Sequence, residues 1–303
     1  MRLTLNAMAG GQQAGFIYAR QLGYYAEAGL DVRIDEGHGS RETAERVADG
    51  RSDFGYADPL AIMQTRAAGG ALTVVSSLFQ TSGYAILSLQ SRAVRQPSDL
   101  RGAVIGATSG TPARILLDAV LAANHLDAGE VTVLDIGPVD LVGALRTGRV
   151  AATVGTRDFH TLQLQSLGEN VNELPYADSG APLVGLSLAA NDGLIQRDPQ
   201  LVEGFIRASL RGWDAARRSP ELAGRAVIDQ FLADYEGQIV TQLRSELPLL
   251  CGPDNAGLGM PSAASWQTTA DLYSRYQLLT AVPPIADFVT SRFIGPNDPT
   301  CPQ

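Results

Sequence analysis

Lysine is missing from this chain, and all 23 of its basic residues are arginine. Schiff-base chemistry and the anchoring of pyridoxal phosphate need a lysine amine, so both are excluded. Cysteine and histidine are scarce: Cys251 and Cys301, with His38, His125 and His160, are the full set. The histidines fall on separate predicted elements, and the cysteines form neither a CxxC pair nor a cluster with them. No metal site is expected. The two thiols are either free or joined in a disulfide that ties down the C-terminal tail. No apolar run reaches membrane-spanning length. Positive charge is in deficit too, with a net charge of −9. An acidic surface repels phosphate backbones, so nucleic acid is not an expected partner. Neither a GxxxxGK[ST] phosphate loop nor a nucleophile–base pair at useful spacing occurs. Catalytic residues and cofactors are therefore none. No export signal precedes the first strand-like segment, Arg2 to Ala7. That leaves open an exported protein whose signal has been trimmed or a cytoplasmic one.

What is present is ample apolar material: 45% of residues are hydrophobic and 18% charged, enough for real cores. Short apolar runs alternate with helical patterns over the first ~190 residues, by the periodicity criterion. Strands are expected at Leu3–Ala7, Val32–Asp35, Asp53–Tyr56, Leu72–Leu78 and Tyr84–Leu89. Others are expected at Ala103–Ala107, Val131–Asp135, Ala152–Gly155 and Val184–Ala189. Helices are expected between them, at Gln13–Ala28, Arg41–Asp49, Pro59–Ala68, Pro112–Asn124, Val139–Thr147 and Phe159–Leu167. This rhythm predicts an α/β fold with mostly parallel sheets covered by helices. Asp58-Pro59, Thr111-Pro112, Asp198-Pro199 and Ser219-Pro220 each place a capping side chain before a proline at the first helical position. After Asp198 the pattern is almost wholly helical. Phe205, Ile206 and Trp213 lie on one long helix and read as core.

One segment is echoed. Val47 to Asp58 ends a helix, turns at Gly50-Arg51 and enters a strand; Leu145 to Thr156 does the same 98 residues later, turning at Gly148-Arg149. The echo predicts two similarly built lobes. Polar stretches at Gln80–Gly83 and Asp178–Pro182 read as crossings between them. Lobe I is then residues 1–83 plus 184–303, and lobe II residues 84–183. Such crossings act as hinges, so closure about a ligand is expected.

The ordered matches along the chain resemble a known family. Ala14 to Val32, with Gly23-Tyr24-Tyr25 and Glu27-Ala28-Gly29-Leu30-Asp31-Val32, looks like the opening helix of periplasmic binding proteins for thiamine pyrimidine precursors and alkanesulfonates. Gly50-Arg51-Ser52-Asp53-Phe54-Gly55 and Asp99-Leu100-Arg101-Gly102-Ala103-Val104-Ile105-Gly106 are similar to two further motifs of that family. Ser109-Gly110-Thr111-Pro112, Leu247-Pro248-Leu249, Met260-Pro261 and Trp266 are similar to its pyrimidine-precursor branch. The resemblance implies a periplasmic binding protein type II fold, two Rossmann-like lobes joined by a two-stranded hinge. It also implies a monomeric, non-enzymatic solute-binding protein of an ABC importer, working with a membrane permease in the periplasm or as a cell-surface lipoprotein. Two departures bear on the ligand: Gln12-Gln13 stands where the branch carries Asn-His, and Thr156-Arg157-Asp158-Phe159 replaces an aromatic and acidic loop. A fungal relative makes the thiamine pyrimidine using a lysine-linked cofactor. That activity does not carry over to a chain without lysine.

In open α/β sheets ligands gather beyond the carboxyl ends of strands. The candidate contacts in lobe I are Gly11, Gln12, Gln13, His38, Ser40, Tyr56, Asp58, Phe79 and Gln80. Those in lobe II are Thr108, Ser109, Gly110, Thr111, Thr156, Arg157, Phe159 and Asp178. Free amides and hydroxyls at the Ser109–Thr111 helix start suit an anion or a carbonyl. Tyr56 and Phe79 offer ring faces. Arg157 offers a partner for a carboxylate, sulfonate or phosphate. Asp58 offers an acceptor for a ring amine. The expected ligand is a small heteroaromatic, thiamine pyrimidine precursor-like molecule. An alkanesulfonate or other small organic anion is the alternative within the class. A cytoplasmic sensor or an enzyme on the same fold is the alternative outside it.

Overall fold

The computed structural model describes residues 1–92, 94–231, 236–252 and 257–301. Among them the strands run in chain order as β1 (Arg2–Thr4), β2 (Arg33–Asp35), β3 (Phe54–Ala57), β4 (Leu72–Ser76) and β5 (Tyr84–Leu89). They continue as β6 (Val104–Ala107), β7 (Thr132–Asp135), β8 (Ala152–Thr156), β9 (Val171–Pro175) and β10 (Ser187–Asn191). They form two five-stranded sheets of matching order, β2-β1-β3-β10-β4 and β7-β6-β8-β5-β9. The fold is mixed α/β, a periplasmic binding protein type II architecture.

The chain divides into two compact units. Unit 1 holds Met1–Thr81, Val184–Ala270 and Leu279–Gln303; unit 2 holds Ser82–Leu183 and Asp271–Leu278. A plain return of the whole segment 184–303 to the first lobe therefore needs amendment. The last residues of the helix Ala263–Arg275 and the turn after it group with unit 2.

In unit 1, β1 pairs in parallel with β2 and β3, while β10 runs antiparallel between β3 and β4. The 20-residue helix Pro199–Arg218 covers this sheet with Val202, Phe205, Ile206, Leu210 and Trp213, apolar at three- and four-residue spacing. Phe205 stacks on Phe54 of β3 at 3.8 Å and on Tyr25 at 5.3 Å. The helix Ala14–Gln21 packs against the same long helix, and glycine makes that possible. A Cβ on Gly15 would stand 2.2 Å from Trp213 Cδ2, and one on Gly212 would stand 2.4 Å from Ala19 Cβ. The continuous helix expected over Gln13–Ala28 is broken at Gly23, whose φ of 78° lies in the left-handed region.

In unit 2, β6 pairs in parallel with β7 and β8, and β5 runs antiparallel between β8 and β9. The echoed segments occupy matching places. Gly50 (φ 72°) and Gly148 (φ 76°) turn each helix into β3 and β8, the middle strand of each sheet. Strand β9 was not expected from the sequence. Its five residues alternate poorly and end in proline, which an edge strand tolerates. The caps form as expected at three helices: Asp58 accepts from Leu60 N, Thr111 from Arg114 N and Asp198 from Leu201 N. Cys251 and Cys301 are disulfide-bonded, across a sequence separation of 50.

Candidate functional site

The carboxyl ends of β1, β2, β3 and β4 lie along one edge of the unit 1 sheet, because β10 alone runs the other way. Most of the expected contacts there serve the protein itself. Gly11 N donates to Gln242 Oε1 at 2.7 Å, and a Cβ at Gly11 would meet Leu243 N at 2.4 Å. Gln13 is buried; its Nε2 donates to Asn6 Oδ1 at 2.7 Å and its Oε1 accepts from Gly10 N at 3.0 Å. It braces the loop after β1 and has no face left for a ligand. Tyr56 and Phe79 are likewise corrected from ring walls to core. Both are buried, and with Phe16 and Trp213 they form a closed set of edge-to-face rings. Burial drives the Tyr56 phenol well above its usual range, with Glu246 adding to the effect. Gln80 fastens the C-terminal region instead, its Nε2 donating to Gly257 O at 2.7 Å and its Oε1 accepting from Gly252 N at 2.8 Å.

What remains at this edge is Gln12, Ser40, Asp58 and the exposed His38. Ser40 Oγ accepts from Asp58 N at 3.0 Å, and the Asp58 carboxylate accepts from Leu60 N at 2.9 Å. Burial pushes the Asp58 carboxyl up to about 6, partly offset by the Leu60 amide. A strand-end carboxylate held this far from its ordinary range is a marker of ligand sites.

The carboxyl ends of β6, β7, β8 and β9 share one edge of the unit 2 sheet. Ser109 and Gly110 are exposed, and Thr108 and Thr111 are partly so. Part of the expected anion cradle is already taken by the protein. Ser109 N donates to Asp135 Oδ1 at 2.9 Å, and the Ser109 hydroxyl also bonds that carboxylate, holding Asp135 below the usual carboxylate range. Thr108 Oγ1 donates to Ile136 O, and Thr111 Oγ1 donates to Thr108 O, both at 2.8 Å. After β8 the chain enters a π-turn, Arg157–Thr161. Arg157 Nε donates to Glu173 Oε2 at 2.7 Å, and Thr161 Oγ1 donates to Glu173 Oε1 at 2.6 Å. Thr156 N donates to His160 Nδ1 at 3.1 Å, so the neutral imidazole carries its proton on Nε2, which is buried without a partner. Burial holds His160 below its usual pKa, against the pull of Asp158. Phe159 is half-exposed and sets its ring edge-on to His160 at 5.0 Å, while Asp178 is exposed in the turn after β9.

Sequence reasoning missed Asp135, Glu173 and His160. Asp135 was visible as the last residue of a predicted strand. Glu173 lay on the strand that was not expected. His160 stands out in the sequence only as a candidate metal ligand. Among the described residues no group of three or more potential metal ligands gathers, and no helix is long and apolar enough to cross a membrane.

Residues 11–223 match the family model described as NMT1/THI5 like. The chain is 28% identical over 294 residues to the riboflavin-binding protein RibY of Chloroflexus aurantiacus, covering 93% of this chain and 82% of that protein. It is 25% identical to the formylaminopyrimidine-binding protein of Halalkalibacterium halodurans, covering 69% and 64%. Further relatives carry the name 4-amino-5-hydroxymethyl-2-methylpyrimidine phosphate synthase. In structure it is similar to the periplasmic aliphatic sulphonate binding protein SsuA of Escherichia coli, with a TM-score of 0.74, 17% identity and coverage of 96% and 91%. This chain belongs to the NMT1/THI5-like family.

Proposed function

We propose that this protein is the extracytoplasmic solute-binding component of an ABC importer, and that its solute is an uncharged or amine-bearing heteroaromatic ring. Its fold and family support a small-ligand binder, and relatives named for riboflavin and formylaminopyrimidine support a ring. One observation carries the choice of ring over anion. In unit 2 the Ser109 amide, in the loop leading into the helix start that would hold a sulfonate, is taken by the carboxylate of Asp135. A second anion placed there would meet like charge at short range. Asp58 in unit 1 adds an acceptor suited to a ring amine. In this reading unit 1 offers Gln12, His38, Ser40 and Asp58 as contacts, and unit 2 offers Thr108, Ser109, Gly110, Thr111, Thr156, Arg157, Phe159 and Asp178.

The protein binds its ligand without turning it over. Relatives with synthase names raise the opposite reading, but a lysine-linked cofactor has no attachment point in this sequence. Isothermal titration with riboflavin, formylaminopyrimidine and butanesulfonate tests the assignment. Micromolar or tighter ring binding with weak sulfonate binding is expected. Tight sulfonate binding without ring binding would overturn it, and mass-spectrometric detection of a converted ligand would overturn the non-enzymatic part.

A further inference from the structure

The π-turn after β8 carries a charge arrangement that chain packing alone does not call for. Arg157 is held by one edge only. Its amide donates to Gly83 O at 3.1 Å and its Nε donates to Glu173 Oε2 at 2.7 Å. The two terminal guanidinium nitrogens have no protein partner among the described residues, and neither is sealed away from solvent. Glu173 cannot drift with the arginine. It sits in register with Leu87 of β5, and its second oxygen is held by Thr161 at 2.6 Å. Both partners are largely shielded, with side-chain exposures of 25% and 20%. The result is an arginine that is positioned and donor-rich, yet cancelled in charge. The rest of this sheet edge carries Asp135, Asp158 and Asp178 and no unpaired cation among the residues named above.

We propose that Glu173 sets the ligand class of this protein, by neutralising Arg157 while leaving its terminal N–H groups open to an uncharged acceptor. A ring carbonyl or ring nitrogen gains hydrogen bonds from that fork at little electrostatic cost. A sulfonate or carboxylate meets a site with no net positive charge to hold it. The inference rests on the ring-binding reading above and goes further, because it names the residue pair that excludes anions. Glu173 is a positioning and specificity residue in this scheme, and Arg157 is the contact.

The test compares wild type, Glu173→Gln and Arg157→Gln by titration with riboflavin, formylaminopyrimidine and butanesulfonate at low salt, with thermal melts to verify folding. The glutamine at 173 keeps the shape and an acceptor oxygen but removes the charge. The ratio of sulfonate to ring association constants is expected to rise by about tenfold or more in Glu173→Gln, the scale of one charge-assisted hydrogen bond. A merely structural Glu173 would weaken all ligands together and leave that ratio alone. Arg157→Gln is expected to lose ring affinity by about tenfold with no gain for sulfonate, since it removes donors and leaves a carboxylate behind. Should Glu173→Gln fail to fold, Arg157→Gln carries the decision. An unchanged ratio in Glu173→Gln, or full ring affinity in Arg157→Gln, overturns the inference while the ring reading stands. A wild-type protein that binds neither ring overturns both.

Discussion

Removing the Cys251–Cys301 disulfide is expected to cost unit 1 a large part of its stability. The bond closes a segment with a sequence separation of 50. The chain-entropy relation for a loop of that size gives about 14 cal/mol/K, or about 4 kcal/mol at 25 °C. Native contacts share the work of holding the tail, since Leu258 N donates to Pro299 O at 3.2 Å and Arg207 Nε bonds the buried Asp298 at 3.2 Å. These contacts do not restrain the unfolded chain, so the entropic term survives them. For a unit of this size 4 kcal/mol corresponds to a fall in Tm of roughly 10 °C. The assay is differential scanning calorimetry of wild type and the Cys251→Ser/Cys301→Ser double variant, with thiol titration in denaturant. Because both cysteines lie in unit 1, the loss should fall on the transition that melts β1–β4 and β10. Two reactive thiols in denatured, unreduced wild type, or a Tm within about 2 °C of wild type for the variant, would refute the reasoning.

Other expectations follow from particular side chains. Burial raises the folded Asp58 carboxyl to about 6, above the ordinary aspartate range, so the wild-type fold gains stability as pH falls through 6 and is less stable above it. Asp58→Asn, which still caps its helix, should therefore raise Tm at pH 8 and lose that advantage below pH ~5, as melts across pH will read. His160 has the reverse sign. Its folded pKa is lowered, so its stability contribution is present at neutral pH and lost on acidification; proton NMR should find this ring titrating below the ordinary histidine value. Gly15→Ala pushes a methyl into Trp213, and denaturant titration should show a loss of about 3 kcal/mol, the upper range for overpacking. Tyr176→Phe removes a 2.7 Å bond to Ala113 O and should cost about 1 kcal/mol by the same measurement, the net worth of one hydrogen bond to a carbonyl that stays in its helix.

The fold was legible where the signal is local and repeated. Asp58-Pro59 and Thr111-Pro112 announced helix starts, because a capping oxygen and a pre-set φ act within three residues. The paired glycine turns at Gly50 and Gly148 announced matching strands for the same reason. The site was harder to read, because it depends on which face of an element turns inward. Tyr56 alternates with Gly55 and Ala57 along a strand buried on both faces, so period-two patterning cannot say which way its ring points. Gln80 looks like any polar loop residue until Gly252 and Gly257 arrive beside it, more than 170 residues later in the sequence. The π-turn replaced the expected start of a helix at Phe159; nothing in Arg157–Thr161 distinguishes an i+5 from an i+4 ring. Glu173 became visible only once β9 had taken its place at the sheet edge.

The place of β10 has a consequence for how the chain is made. It is laid between β3 and β4, yet it is synthesised more than a hundred residues after them. Until the ribosome or translocon has delivered Asn191, those two strands have bare flanks in the middle of their future sheet, the kind of edge that invites wrong pairing. Unit 2 faces no such wait, for all five of its strands lie between Tyr84 and Pro175. Unit 2 can close its own sheet while unit 1 is still missing an interior strand, and unit 1 is the last to be sealed.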